Sequence, residues 1–259
     1  MSTILEDPPQ PTDQEPVFLV DKDIYSWEEI KQELNNEGVA GNGLMVAAIT
    51  ADMALLDRSV NLTAKTKTVD GNKTFVCQEL INDEIKRSRD KLPAGDNLNI
   101  ANTDNVDKET FFSNVYNAAI AGIKPAISAQ EKQLFLDDFE QFNNKPSYEQ
   151  KAAARAAQIR VLGLKPDQEI FDDEATDLLK TKLEQMQDED DPVEDIIAYA
   201  ADMKIAGIKG IKLPTSIIQR AVDQLYRLQD DRATPKFRHL GANLAVLVRK
   251  DILSQLGLE

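Results

Sequence analysis

Ala118-Ala119-Ile120-Ala121-Gly122-Ile123-Lys124-Pro125-Ala126-Ile127-Ser128 holds a helix end, a turn and a helix start within a single short stretch. A glycine just past the last helical residue enters the left-handed region without a Cβ clash. The apolar residue after it then folds back on the final turn, and proline prevents continuation. Ser128, with Glu131 three residues on, has the pattern of a capping box for the following helix. The same punctuation returns at Gly163-Leu164-Lys165-Pro166, at Gly207-Ile208-Lys209 and at Gly257-Leu258, each time after an apolar helical period. This grammar predicts a mainly α fold, a multi-helix globular bundle of about ten helices. The spacings Gly122 to Gly163 and Gly163 to Gly207 are 41 and 44 residues, within the range of helical-hairpin repeats. The flanking helices share only their hydrophobic period, so reuse of one good C-cap is a simpler reading than a solenoid.

Working outward, Asp107 is expected to cap a helix carrying Phe111, Phe112, Val115, Tyr116 and Ile120. Ser147 with Gln150 should open an alanine-rich helix to Leu162, and Asp172 another to about Gln187. Asp191-Pro192 with Glu194 combines a cap, a proline at the first helical position and a capping box. Thr215 can start a helix through Leu228, and a last helix holds Leu240, Leu244, Val246, Leu247, Ile252 and Leu256. Upstream, Ser26 with Glu29 opens a helix around Trp27, and residues 44–56 are apolar over most of a helical circumference. Residues 62–77 alone have a strand signature, a small hairpin about Asp70-Gly71. Residues 1–25, with Pro8, Pro9 and Pro11, read as a flexible N-terminal arm in which Val17 to Val20 form a short extended segment that docks. The expected organisation is this arm, an N-terminal helical subdomain over 26–90, a polar loop or linker over 91–106, and a C-terminal helical domain over 107–259.

The 259-residue chain carries a formal net charge of −15, with 45 acids against 30 Lys and Arg, which argues against a surface that is basic throughout. The charge is uneven. Residues 145–165 hold five cations against Glu149 alone, whereas 167–195 hold thirteen acids against Lys180 and Lys182. A single cysteine, Cys77, rules out an internal disulfide and suits a reducing compartment. The acidic, proline-containing start is unlike a secretory signal, and no apolar run approaches the length of a membrane span. A cytoplasmic location is expected, including a virion or nucleoprotein filament formed there.

Catalytic chemistry finds little to work with. His239 is the only histidine, so two-histidine metal sites are excluded, and no sequence partner completes a triad around it. Asp188 to Asp191 lack the alternation, glycine and closing Glu of a calcium loop. Gly38 to Gly43 lack the Lys-Ser/Thr of a phosphate loop. Gly207-Ile208-Lys209-Gly210 resembles the GXXG loop that clamps a nucleic-acid backbone in KH domains. The three-stranded sheet of a KH domain is missing from the pattern, and a plain C-cap and turn is the simpler reading. No enzyme activity, metal or cofactor is expected.

The functional signal is a set of cations. Lys151, Arg155 and Arg160 lie on the alanine-rich helix, and the first two share a face. Arg220 and Arg227 share another, and Arg232, Lys236 and Arg238 follow. If they meet they would line a groove for a phosphate backbone, with Tyr226 or Phe237 for stacking. The competing reading is that they pair with acids on neighbouring helices. Together these features describe a non-enzymatic structural protein. The expected function is a self-assembling helical coat or nucleocapsid subunit, a homo-oligomer through its arm and helical surfaces, binding single-stranded RNA through the backbone. The alternative is an intracellular helical adaptor that binds another protein and no nucleic acid.

Overall fold

A computed structural model describes residues 51, 52, 55, 81–143, 145, 147–165, 170–189, 191–227, 235–249 and 252–258. The fold is mainly α, and no strand occurs among the described residues. After a helical stretch over 81–89 and a short 3-10 turn at Gly95–Asn97 come α1 (Asn105–Ile120), α2 (Ala129–Phe142), α3 (Glu149–Val161) and α4 (Asp173–Asp188). α5 (Val193–Ala206), α6 (Thr215–Arg227), α7 (Pro235–Val248) and α8 (Ile252–Gln255) complete the described chain. The arm over 1–25, the helix at Ser26 and the hairpin near 62–77 lie outside the described residues.

Gly122, Gly163, Gly207 and Gly257 have φ of 84°, 66°, 96° and 72°, and each closes the same two hydrogen bonds. The amide after the glycine reaches back to the carbonyl five residues earlier: Ile123 to Ala118, Leu164 to Ile159, Ile208 to Met203 and Leu258 to Leu253, all at 2.8 to 3.0 Å. The glycine's own amide bonds the carbonyl three residues back, as Gly207 does to Lys204 at 3.1 Å. This is the Schellman closure, with its apolar residue turned inward. Ile123, Leu164 and Ile208 are all buried.

Helix starts follow the expected caps in part. Ser128 and Glu131 form the reciprocal capping box, and Asp172 caps α4 through Ala175 N–H at 2.8 Å. Three starts differ. Asp104, not Asp107, caps α1, accepting from Val106 N–H at 2.8 Å; Asp107 falls in the first turn, where its charge complements the helix dipole. Ser147 has φ 74°, outside the extended geometry of an N-cap, and Tyr148 takes that position with no side-chain bond. Glu149 Oε1 instead accepts from the Ser147 amide at 3.1 Å. Pro192 sits at the N-cap of α5 itself, one residue earlier than expected, and no side-chain bond caps it. The expected single last helix is broken between Val248 and Ile252 into α7 and α8.

α3 and α5 are the central pair and make the most extensive helix contact. Ala152, Ala153, Ala156 and Ala157 on α3 and Ala200 and Ala201 on α5 are buried, and small side chains let two helices approach closely. α1 and α2 pack one core around them, with Phe112 and Phe135 stacked at 3.9 Å between centroids and 22° between planes. Burying one such side chain contributes about 2 kcal/mol. Ile81, Ile85 and Leu92, before α1, join this core. A second core lies between α4, α5, α6 and α7, with Met186, Ile196, Ile197 and Leu244 fully buried. Phe171 and Leu247 pack against both.

Candidate functional site

The cations read from the sequence separate into two groups. Those on α3 are used inside the protein. Arg155 is 3% exposed. Its Nε donates to Asp138 Oδ2 at 2.5 Å and its Nη1 to Gln158 Oε1 at 3.0 Å. Its Nη2 pairs with Glu109, and the guanidinium lies 4.9 Å from the centre of the Phe112 ring. Asp138, fully buried, also holds Lys108 Nζ at 2.5 Å. Two cations and two carboxylates thus close a neutral cluster across α1, α2 and α3, which is the arrangement burial of charge requires. Lys151, on the rim, pairs with Glu109 at 3.4 Å and lies 4.7 Å over the Phe142 ring.

Arg160 has another internal task. From the last turn of α3 its Nη1 donates to Ile205 O at 2.9 Å, at the end of α5, and its Nη2 to Leu258 O, just past α8. One guanidinium therefore serves carbonyls at the C-terminal ends of two further helices, groups that otherwise lack intrahelical partners. Its Nη1 lies 2.4 Å from where a Cβ on Gly207 would stand. Burial of Arg155 and the carbonyl contacts of Arg160 take both out of a phosphate-binding face. Sequence spacing missed this, although the five alanines around Arg155, at 152–154 and 156–157, were a usable signal: a run of small side chains suits the centre of a fold, where an arginine needs carboxylate partners.

The second group faces outward. Arg220, which also holds a contact within the protein, and Arg227 are exposed on α6. Lys209 and Lys212 are exposed on the irregular stretch 207–214 that leads into it. From Lys204 to Arg227 there are five cations and one acid, Asp223. Arg232 and the side chains of Tyr226, Lys236, Phe237 and Arg238 lie outside the described residues. α6 presents Ile217, Ala221 and Leu225 to the second core and leaves Gln219, Arg220 and Asp223 outside, as its period requires.

Beside the basic stretch lies a half-open cavity of about 350 Å³ whose walls include the aliphatic side chains of Ile208, Ile211, Leu213, Ile218, Leu247 and Val248. Lys204 lines it too, donating through Nζ to Leu247 O at 3.1 Å and Arg249 O at 3.3 Å. This lysine caps the broken end of α7, and its burial lowers its pKa. Gly210, in the same wall, has φ 73°. Among the described residues, no backbone N–H or C=O from Lys209 to Leu213 pairs with another backbone group.

One titratable cluster remains. His239 Nδ1 lies 3.4 Å from Asp52 Oδ1. That bond and the Asp52 and Asp202 charges raise the histidine's pKa against the opposing effect of burial. Burial raises Asp52, with His239 opposing, and raises Asp202 to about 7, with His239 and Arg155 opposing. No cysteine or serine is hydrogen-bonded to His239 among the described residues, and no three His, Cys, Asp or Glu there converge as metal ligands. No described helix is long and apolar enough to cross a membrane.

Compared with known protein families, with curated proteins and with solved structures, the chain matches none.

Proposed function

We propose that the protein is a non-enzymatic assembly protein, a self-assembling helical coat or nucleocapsid subunit that follows single-stranded RNA along its sugar–phosphate backbone. The observation that carries this reading is the exposed basic stretch of Lys209, Lys212, Arg220 and Arg227 on a chain of net charge −15. A local run of one sign on a protein of the other is the footprint of a polyanion partner, and backbone contacts of this kind need no base readout. Arg232, Lys236 and Arg238 extend the stretch along the sequence. Lys151 lies apart from it and is held by Glu109.

The test is binding of a fluorescent single-stranded RNA at several salt concentrations, with electron microscopy of the same samples. Affinity should fall steeply with salt and filaments or rings should form. Charge reversal at Arg220→Glu with Arg227→Glu should lower affinity about tenfold and flatten the log–log salt slope by about 1.4 if each contacts one phosphate. Helicity should be unchanged. A monomer that leaves RNA free at low salt sinks the proposal. It would favour the second reading, a helical adaptor for another protein, for which the cavity beside α6 is the supporting feature.

A further inference from the structure

We infer that the cavity between the end of α5, the stretch 207–214, α6 and α7 is the seat for Val17-Phe18-Leu19-Val20 of a neighbouring copy. The inference rests on the self-assembly reading above and specifies its contact. Three observations select this occupant. First, the cavity, about 350 Å³, lies among six aliphatic side chains and polar groups of the same wall. That is room for a few side chains from an extended segment, not for a packed helix. Second, the wall formed by Lys209 to Leu213 carries backbone groups with no backbone partner among the described residues. An extended peptide laid along such a wall gains main-chain hydrogen bonds while its alternate side chains enter the cavity. Val17 to Val20 is the one run of four apolar residues before Ile24, and it follows Pro16. Third, the charges match. The first 23 residues hold six acids, Glu6, Asp7, Asp13, Glu15, Asp21 and Asp23, against Lys22. Lys204 lines the seat, and Lys209 and Lys212, both exposed, are sequence neighbours of its lining residues Ile208, Gly210, Ile211 and Leu213. Acids flanking the apolar run would find the exposed Lys209 and Lys212 beside the seat, which speeds encounter.

The test joins full-length chains by a disulfide. In a Cys77→Ser background, a chain with Phe18→Cys is mixed with a chain carrying Ile211→Cys under mild oxidation. The expected result is a covalent pair of twice the 28.9 kDa chain mass on a non-reducing gel. It should form about tenfold faster than with a control chain carrying Val106→Cys, because docking raises the effective thiol concentration. Val106 is 70% exposed on α1 and does not line the cavity. Equal rates for the two mixtures overturn the inference. So does an internal disulfide without covalent pairs in one chain carrying both Phe18→Cys and Ile211→Cys, since the chain would then fill its own seat. A separate measurement guards against a disturbed fold: Phe18→Asp, with no change at the cavity, should shift the sedimenting species toward monomer, and an unchanged oligomer overturns the inference. RNA binding and filaments without cross-linked pairs would reject this seat and leave the coat reading standing. Cross-linked pairs without RNA binding would do the reverse.

Discussion

Asp138 is the residue on which the first core is most exposed to damage. It is fully buried and pairs with both Lys108 from α1 and Arg155 from α3, Glu109 supplying the second negative charge. Removing one partner of a buried ion pair is far more damaging than losing a surface pair, because the remaining charge stays desolvated. Asp138→Ala would leave two buried cations with Glu109 alone, so it should lower unfolding free energy by about 3 to 5 kcal/mol. Denaturant unfolding followed by circular dichroism measures this. A loss below about 1 kcal/mol would place the cluster in water and reject its structural role. Arg227→Glu, in the exposed last turn of α6, should by contrast cost no more than about 1 kcal/mol, the value of a favourable charge at a helix C-terminus.

Helix ends put the same physics on a larger scale. An alanine at Gly163 meets nothing within 4 Å and bears only the cost of φ 66°, about 1 kcal/mol. An alanine at Gly207 must adopt φ 96° and also displace Arg160 Nη1 from the place it needs to reach Ile205 O. Loss of that charged hydrogen bond adds about 1.5 to 3 kcal/mol. Gly207→Ala should therefore destabilise clearly more than Gly163→Ala in the same unfolding assay, and Arg160→Met should weaken the difference between them. Equal losses would mean that Arg160 relaxes without cost. These ends also show what a sequence can reveal. The C′ glycines and the Ser128–Glu131 box are legible because each is decided within one turn of chain. The starts at Asp104, Tyr148 and Pro192 are not, because neighbouring residues compete for the cap and the backbone geometry chooses. For the cations, helical spacing places Lys151 and Arg155 on one face and is silent on what that face meets. Asp138, seventeen residues from Arg155, decides that. The outward cations of α6 were legible because its apolar period points the other way.

At the scale of the whole molecule, Asp52, His239 and Asp202 tie the segment near residue 52 to α5 and α7 and give stability a pH dependence of definite sign. Each has its folded pKa raised: Asp202 from 3.8 to about 7 chiefly by burial, Asp52 likewise upward by burial, and His239 upward from 6.5 chiefly through its bond to Asp52. A raised folded pKa means that the native state holds its proton more tightly than the unfolded chain does. Stability from such a group is complete below the unfolded pKa and is lost as pH rises through the folded one. For Asp202 the window runs from about 4 to about 7, and for His239 it begins near 6.5, so the two losses run in sequence. The urea midpoint should thus fall as pH is raised from 5 to 8. Asp202→Asn, which removes the carboxylate that must ionise inside the fold, should flatten the part of that curve below pH 7 and, because the Asp202 charge helps raise His239, also shrink the later part without abolishing it. Parallel curves for variant and parent would show that Asp202 ionises as readily in the folded protein as in the unfolded chain.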